Sequence, residues 1–180
     1  MDPVSERNAV LADLESAVAL LTQSMSTKLV PEAGAQIGYA IRGARDKNGI
    51  AAVPGRISGT AGAVKAGGPC SFGADEEIAR VVLTVMKFDP RRRSTALIRF
   101  SDRALDVLEN DQFLECVSYD ATKAPTGIST MDWTIASCCK EEVPDVLYPE
   151  SGDGTGAMLI ILGEEPVGVA NNIIICSNRI

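Results

Sequence analysis

Histidine is absent from all 180 residues of this sequence. That excludes Ser-His-Asp and Cys-His nucleophile activation, and it excludes zinc or iron sites built on imidazole. Any chemistry must run on carboxylates, arginine, lysine, backbone N–H groups and a hard cation such as Mg²⁺. Aromatic residues are scarce at 4%, so the core has to be aliphatic. Basic residues are outnumbered, 17 Lys and Arg against 24 Asp and Glu for a formal charge of −7. A general nucleic-acid surface, which needs a basic field, is therefore not expected; a few cations focused in one cleft still suffice for a small anion. No apolar run has the length to cross a bilayer. The opening MDPVSERNAVL carries acids where a secretory leader carries basic residues ahead of a hydrophobic block. A cytoplasmic protein with no membrane and no nucleic-acid partner is the expectation. The five cysteines, Cys70, Cys116, Cys138, Cys139 and Cys176, follow neither a C-x-x-C nor a zinc-finger spacing. Scattered thiols of this kind read as small buried hydrophobes, with the adjacent Cys138-Cys139 as the redox candidate.

What is present fits one domain with a sizeable core: 46% hydrophobic and 23% charged residues. Residues 5–24 predict an amphipathic helix, with Leu11, Leu14, Val18 and Leu21 on one face and Ser5 as its N-cap. Short apolar runs follow, Ile37 to Ile41, Gly49 to Val53 and Arg56 to Ser58, which read as strands bounded by glycine. The clearest helix spans 75–88, with Ile78, Val81, Val82, Val85 and Met86 inward and Pro90 as its stop. Beyond it the pattern predicts a strand at Leu97 to Phe100, a short helix at 102–110 and a strand at Phe113 to Tyr119. A helix at 129–140 and strands at Val146 to Tyr148 and Met158 to Leu162 come next. The last helix starts near Glu164 with Pro166 in its first turn, although the β-branched run Ile173-Ile174-Ile175 reads equally as a strand. Helices and strands interleave without linker or repeat, which predicts a layered α/β domain over residues 1–180.

Four segments offer chemistry. Pro54-Gly55-Arg56-Ile57 turns an arginine into a glycine-rich region, and a guanidinium fork suits phosphate oxygens; an arginine beside a turn is otherwise simply solvated. Ser71-Phe72-Gly73-Ala74-Asp75 runs into a helix N-terminus, an anion site in principle, yet Asp75, Glu76 and Glu77 already answer that dipole. Lys87-Phe88-Asp89-Pro90-Arg91-Arg92-Arg93 is the one basic cluster of an acidic chain, or a solvated loop. Ser151-Gly152-Asp153-Gly154-Thr155-Gly156 is a loop without the GK[ST] of a P-loop.

Taken in order, ERNAVLADLESAVALL, LVPEAGAQIGYAI, VPGRI, FGADEEIARVVLTVMKFDP, IRF, VSYD, PDVLY and GAMLIILGEEPVGV resemble the archaeal-type thiamine-phosphate synthase (ThiN) family from about residue 6 to about residue 175. ARVVLTVMKFDP is the most specific block. The resemblance implies a three-layer α/β/α fold around a mixed sheet, similar to class II aldolases. It implies that hydroxymethylpyrimidine diphosphate and hydroxyethylthiazole phosphate are joined to thiamine monophosphate and diphosphate, with Mg²⁺ on the diphosphate. It carries the arginine of the PGRI motif onto Arg56. The family's histidine between FGA and ARVVL falls on Glu77. Gly55, Gly73, Lys87, Arg91, Asp120 and Asp153 are the candidate substrate and phosphate contacts, and the metal ligands stay unassigned. The resemblance leaves the oligomer open, a homodimer included.

The departure at position 77 has a physical consequence. Loss of diphosphate from a benzylic-like carbon builds negative charge on the leaving group, and cationic groups stabilise it. A carboxylate where a donor should stand opposes that charge. Two readings follow: a synthase working through Arg56 and Mg²⁺, or a domain that binds thiamine phosphate or a precursor without turnover, as a sensor. A class II aldolase reaction is excluded, because those enzymes hold their metal with histidines.

Overall fold

The computed structural model describes residues 2–151 and 157–180. Its first element is the 22-residue helix α1 (Pro3–Ser24). Asp2, rather than Ser5, is the N-cap: its carboxylate accepts from the Ser5 N–H at 2.9 Å, and Pro3 sits in the first turn, where a missing N–H costs nothing. The strands are β1 (Gln36–Ala40), β2 (Ile50–Ala52), β3 (Ile57–Thr60), β4 (Ala63–Ala66), β5 (Ser71–Phe72), β6 (Ser94–Arg99), β7 (Cys116–Tyr119), β8 (Val146–Pro149) and β9 (Met158–Gly163). The remaining helices are α2 (Glu76–Phe88), α3 (Asp102–Asp106), α4 (Thr130–Cys138) and α5 (Pro166–Ser177).

Seven strands form one mixed sheet in the order β5-β2-β1-β6-β9-β8-β7, in which β7 and β8 run parallel and the other pairs antiparallel. Alternation along each strand sends side chains to two separate apolar clusters. Ile37, Tyr39, Ala96, Ile98, Leu159 and Ile161 pack under α1 and α5. Ala40, Leu97, Leu147, Ile160 and Leu162 pack under α2 and α4. The result is the α/β/α sandwich expected from the sequence.

The glycine-rich stretch holds more than turns. Its centre is the hairpin β3–β4, closed by Ala61 and Gly62, both with positive φ (52° and 76°). Arg56 is not a strand residue: with Gly55 it forms a left-handed pair (φ 64° and 70°) before β3. The helix expected at 102–110 divides into α3 and a π-helical turn, Val107–Asp111. Phe113 lies outside β7, with φ 56° and its ring 86% exposed. Ile173-Ile174-Ile175 belongs to α5: Ile173 is buried against α1 while Ile175 faces outward.

Candidate functional site

Registry fixes which loops meet. Gln36 pairs with Leu97, Leu97 with Ile160, Ile160 with Leu147 and Leu147 with Val117. Residues that continue past this row therefore share one end of the sheet. They are the β2–β3 turn with Arg56, the last residue of β6, the first of β9, and the tip of β7. The N-terminus of α2 lies over this end.

Asp75 organises it. One carboxylate oxygen accepts from the Glu77 and Ile78 N–H groups at 2.9 and 3.2 Å and so caps α2. The other accepts from Gln36 Nε2 at 2.9 Å and from Arg56 Nε at 3.1 Å. Gln36 is buried, and its amide also bridges both backbone groups of Val53: Nε2 donates to the Val53 carbonyl and Oε1 accepts the Val53 N–H, each at 2.9 Å. Strand β1, the Val53–Arg56 turn and the start of α2 are thus tied by two side chains. Gly34 (φ 94°) completes the fit. A Cβ there would lie 2.9 Å from Cβ of Arg56, so only glycine lets the arginine stem pass.

Arg56 Nη2 reaches Glu77 Oε1 at 3.1 Å. One guanidinium is held between two carboxylates, Asp75 with 9% of its side chain exposed and Glu77 with 37%. The trio carries a net charge of −1. Glu77 is thus in direct contact with the arginine.

The other sequence candidates divide. Gly55 is the left-handed neighbour of Arg56, and Gly73 (φ 75°) turns β5 towards α2 while donating to the Ile50 carbonyl at 3.1 Å. Asp120 lies at the same sheet end, after β7, but its carboxylate is engaged by Thr122, whose N–H and hydroxyl donate at 3.0 and 2.6 Å and hold it below the usual carboxylate range. Lys87 is not near Arg56: it sits in the last turn of α2, about 15 Å along the helix from Glu77. Arg91 lies beyond it, exposed and held by Asp89 at 3.1 Å. Asp153 lies outside the described residues.

Two residues were missed by the sequence reading. Gln36 is the buried partner of Asp75, which the sequence offered only as an acid answering the helix dipole, and the signal was a lone amide inside the apolar run AQIGYA. The second is Arg99. It closes β6 on the same face as Leu97, pairs with Met158, and lies about two residues past the Gln36 row. It is exposed and enters no ion pair among the described residues. Beyond Met158 the Tyr119 hydroxyl donates to its carbonyl at 3.2 Å, and burial pushes that phenol up to about 12, so it stays a neutral donor.

Among the described residues no group of three or more acidic or cysteine side chains could enclose a metal. Asp75 has both oxygens committed, which leaves Glu77 Oε2 as the free carboxylate oxygen of the trio. That suits Mg²⁺, which commonly binds through one or two carboxylates and the phosphates of its substrate.

A family model described as "Thiamine-phosphate synthase ThiN" matches residues 13–175. The chain is 32% identical over 170 residues to the bifunctional thiamine biosynthesis protein ThiDN of Methanocaldococcus jannaschii, covering 93% of this chain and 40% of that protein. It therefore spans less than half the length of that relative. It is 28% identical over 149 residues to thiamine-phosphate synthase ThiN of Methanothermobacter thermautotrophicus, covering 79% of this chain and 78% of the relative. The C-terminal domain of a phosphomethylpyrimidine kinase superposes with a TM-score of 0.87 at 30% identity, over 95% of this chain and all of that one. L-fuculose-1-phosphate aldolase of Thermus thermophilus shares the fold more distantly, with a TM-score of 0.52 at 12% identity over 95% of this chain and 91% of the aldolase. By this match over most of its length, the chain belongs to the ThiN family of thiamine-phosphate synthases.

Proposed function

We propose that this chain joins hydroxymethylpyrimidine diphosphate to hydroxyethylthiazole phosphate at the Arg56 end of its sheet, giving thiamine monophosphate, as a cytoplasmic biosynthetic enzyme. The observation that carries the reading is the placement of Arg56. It is fixed in a left-handed turn by Gly55, Gly34 and Asp75, at the N-terminus of α2. A fixed cation loses little on meeting an anionic leaving group, because its orientation is set beforehand. Glu77 Oε2 would hold a magnesium ion carried by the diphosphate, and the ion would supply charge neutralisation of the leaving group. Glu77 faces the incoming phosphates and Arg99 adds a second cation to the mouth. The backbone N–H of Gly73 is unavailable, since it already donates to Ile50.

A second reading is favoured by one specific contact. Glu77 occupies Arg56, and a guanidinium neutralised on two sides stabilises developing negative charge weakly. On this reading the domain binds thiamine phosphate or a precursor without turnover. Thiamine monophosphate formation from both precursors with Mg²⁺ separates the two, using the wild type, Arg56→Ala and Glu77→His. The synthase reading expects wild-type turnover that falls by ~10²–10³ in Arg56→Ala and rises in Glu77→His. Absence of wild-type turnover, with thiamine phosphate still bound, selects the binding domain.

A further inference from the structure

The far end of β1 presents a different arrangement of charge. Tyr39 lies three residues, about 10 Å, along the strand from Gln36, and on the opposite face of the sheet. A cleft of about 620 Å³ opens there, lined by Tyr39, Arg42, Arg91, Arg93, Glu164 and Glu165 among others.

Arg93 is pre-set in this cleft. Its Nε donates to the Ala40 carbonyl at 3.0 Å, and its guanidinium lies 4.7 Å from the centre of the Tyr39 ring. Its terminal nitrogens have no hydrogen-bond partner among the described residues, and Arg93 lines the cleft. Arg42 lines the cleft from the loop after β1, and its guanidinium has no ion pair or hydrogen bond among the described residues; only its backbone N–H is engaged, by Glu6. Tyr39 is 6% exposed, yet its hydroxyl has no hydrogen-bond partner among the described residues and is not sealed from the cleft. A phenol so placed normally finds a partner. Burial raises its pKa above the ordinary tyrosine value, so it remains a donor. The charged groups facing it are Arg93, Arg42, Asp13 and Glu165. Arg91 contributes to the positive wall but is already bidentate to Asp89.

Glu164 and Glu165 form the opposite wall, and neither comes within 4.0 Å of the three arginines among the described residues. Arg42 and Arg93 therefore have no direct ion pair within the cleft, although Glu164 acts on Arg91 across it. Glu165 also starts α5 without a side-chain hydrogen bond, so the first N–H groups of that helix keep their polarity. The donors come from three directions: the loop after β1, the turn before β6, and the floor of the strand. A tetrahedral oxyanion offers oxygens in three directions, whereas a carboxylate offers two.

We propose that this cleft is a second anion-binding site, holding the phosphate group of a small phosphorylated metabolite between Arg42, Arg93 and the Tyr39 hydroxyl. It is separate from the Arg56 site. The two glutamates make it prefer a ligand that carries a cationic or donor group beside its phosphate, since bare phosphate leaves them facing an unscreened anion.

The test uses the full chain carrying Arg56→Ala, which removes the other arginine that would attract the probe. Inorganic phosphate is titrated while backbone amide shifts are followed by ¹H–¹⁵N spectra. Saturable shifts at Arg42, Gly43 and Arg93, with a dissociation constant on the order of 1 mM or tighter, are expected. Arg42→Glu, an exposed substitution that leaves packing alone, weakens binding about tenfold or more. Tyr39→Phe, which deletes one oxygen and keeps the ring, weakens it about threefold. Shifts confined to Gly55, Gly73 and Glu77, or phosphate affinity in Arg42→Glu and Tyr39→Phe equal to that of the Arg56→Ala parent, overturn the proposal. Because the readout is binding in an Arg56→Ala background, it stands or falls independently of synthase activity.

Discussion

The two ends of β1 hold similar residue types under opposite conditions. At the Gln36 end one arginine and two acids are locked together, partly buried and supported by a buried amide. At the Tyr39 end three arginines and two glutamates stand exposed or half-exposed around open space. The difference shows what charge is used for in each place. Charges taken out of water must find partners in the fold, so they become part of its frame. Charges left at the surface keep their hydration and remain available to a ligand. Substitutions at the first end should therefore cost stability and binding together, and those at the second should cost binding alone.

The largest stability effect is expected for Asp75→Ala. It removes the cap of α2 and leaves Gln36 Nε2 and Arg56 Nε without their shared acceptor. A loss of about 3 kcal/mol follows, read as a fall of about 10 °C in Tm for a chain of this size. Asp75→Asn keeps the capping oxygen and should recover about 1 kcal/mol of that. If Asp75→Ala melts with the wild type, the closed end is not a frame and the comparison fails.

Gln36→Leu ranks next. Leucine fills the volume but orphans the buried Val53 N–H and leaves the Val53 carbonyl with the Arg56 N–H alone, at about 2 kcal/mol. Urea unfolding at unchanged slope measures it. The same variant should also loosen the turn that carries Arg56, so that synthase turnover, where present, falls further than the remaining folded fraction accounts for. Equal losses in stability and activity would reduce Gln36 to a packing residue.

How much of this was legible in the sequence follows from the same physics. The helices and the two-faced sheet were legible because burial imposes periodicity: α2 declares itself in Ile78, Val81, Val82 and Val85. Arg56 and Glu77 were legible through the family motifs around them. Gln36 was not, because an amide inside AQIGYA shows its value only when Val53 and Asp75 are brought beside it from 17 and 39 residues away. Arg56 was read as a strand residue because its left-handed backbone is imposed by Gly55, Gly34 and Asp75 together, which no local propensity records. Lys87 and Arg91 were grouped with Arg56 as phosphate helpers on charge alone, although the helix predicted over 75–88 already sets Lys87 about 15 Å from Glu77. Phe113 was assigned to a strand on its β propensity, whereas the Leu114 N–H bonds back to Leu108 and closes the π turn instead.

The smallest effect belongs to the open end and is the sharpest check on the contrast. Arg91 holds the Asp89 carboxyl below the usual carboxylate range by hydrogen bonding to it. A depressed folded pKa contributes stability that is present above the unfolded value of 3.8 and lost as pH falls through the folded one. Arg91→Ala should therefore matter at pH 7 and matter less at a pH below 3.8, vanishing only where Asp89 of the folded protein is itself protonated. Its size at pH 7 is small, because the Arg91 side chain is 78% exposed and water screens the pair. Urea midpoints at the two pH values measure the difference. A cost as large as that of Gln36→Leu would mean that the Tyr39 end is held together by its own ion pairs, as the Gln36 end is, and is not open to a ligand.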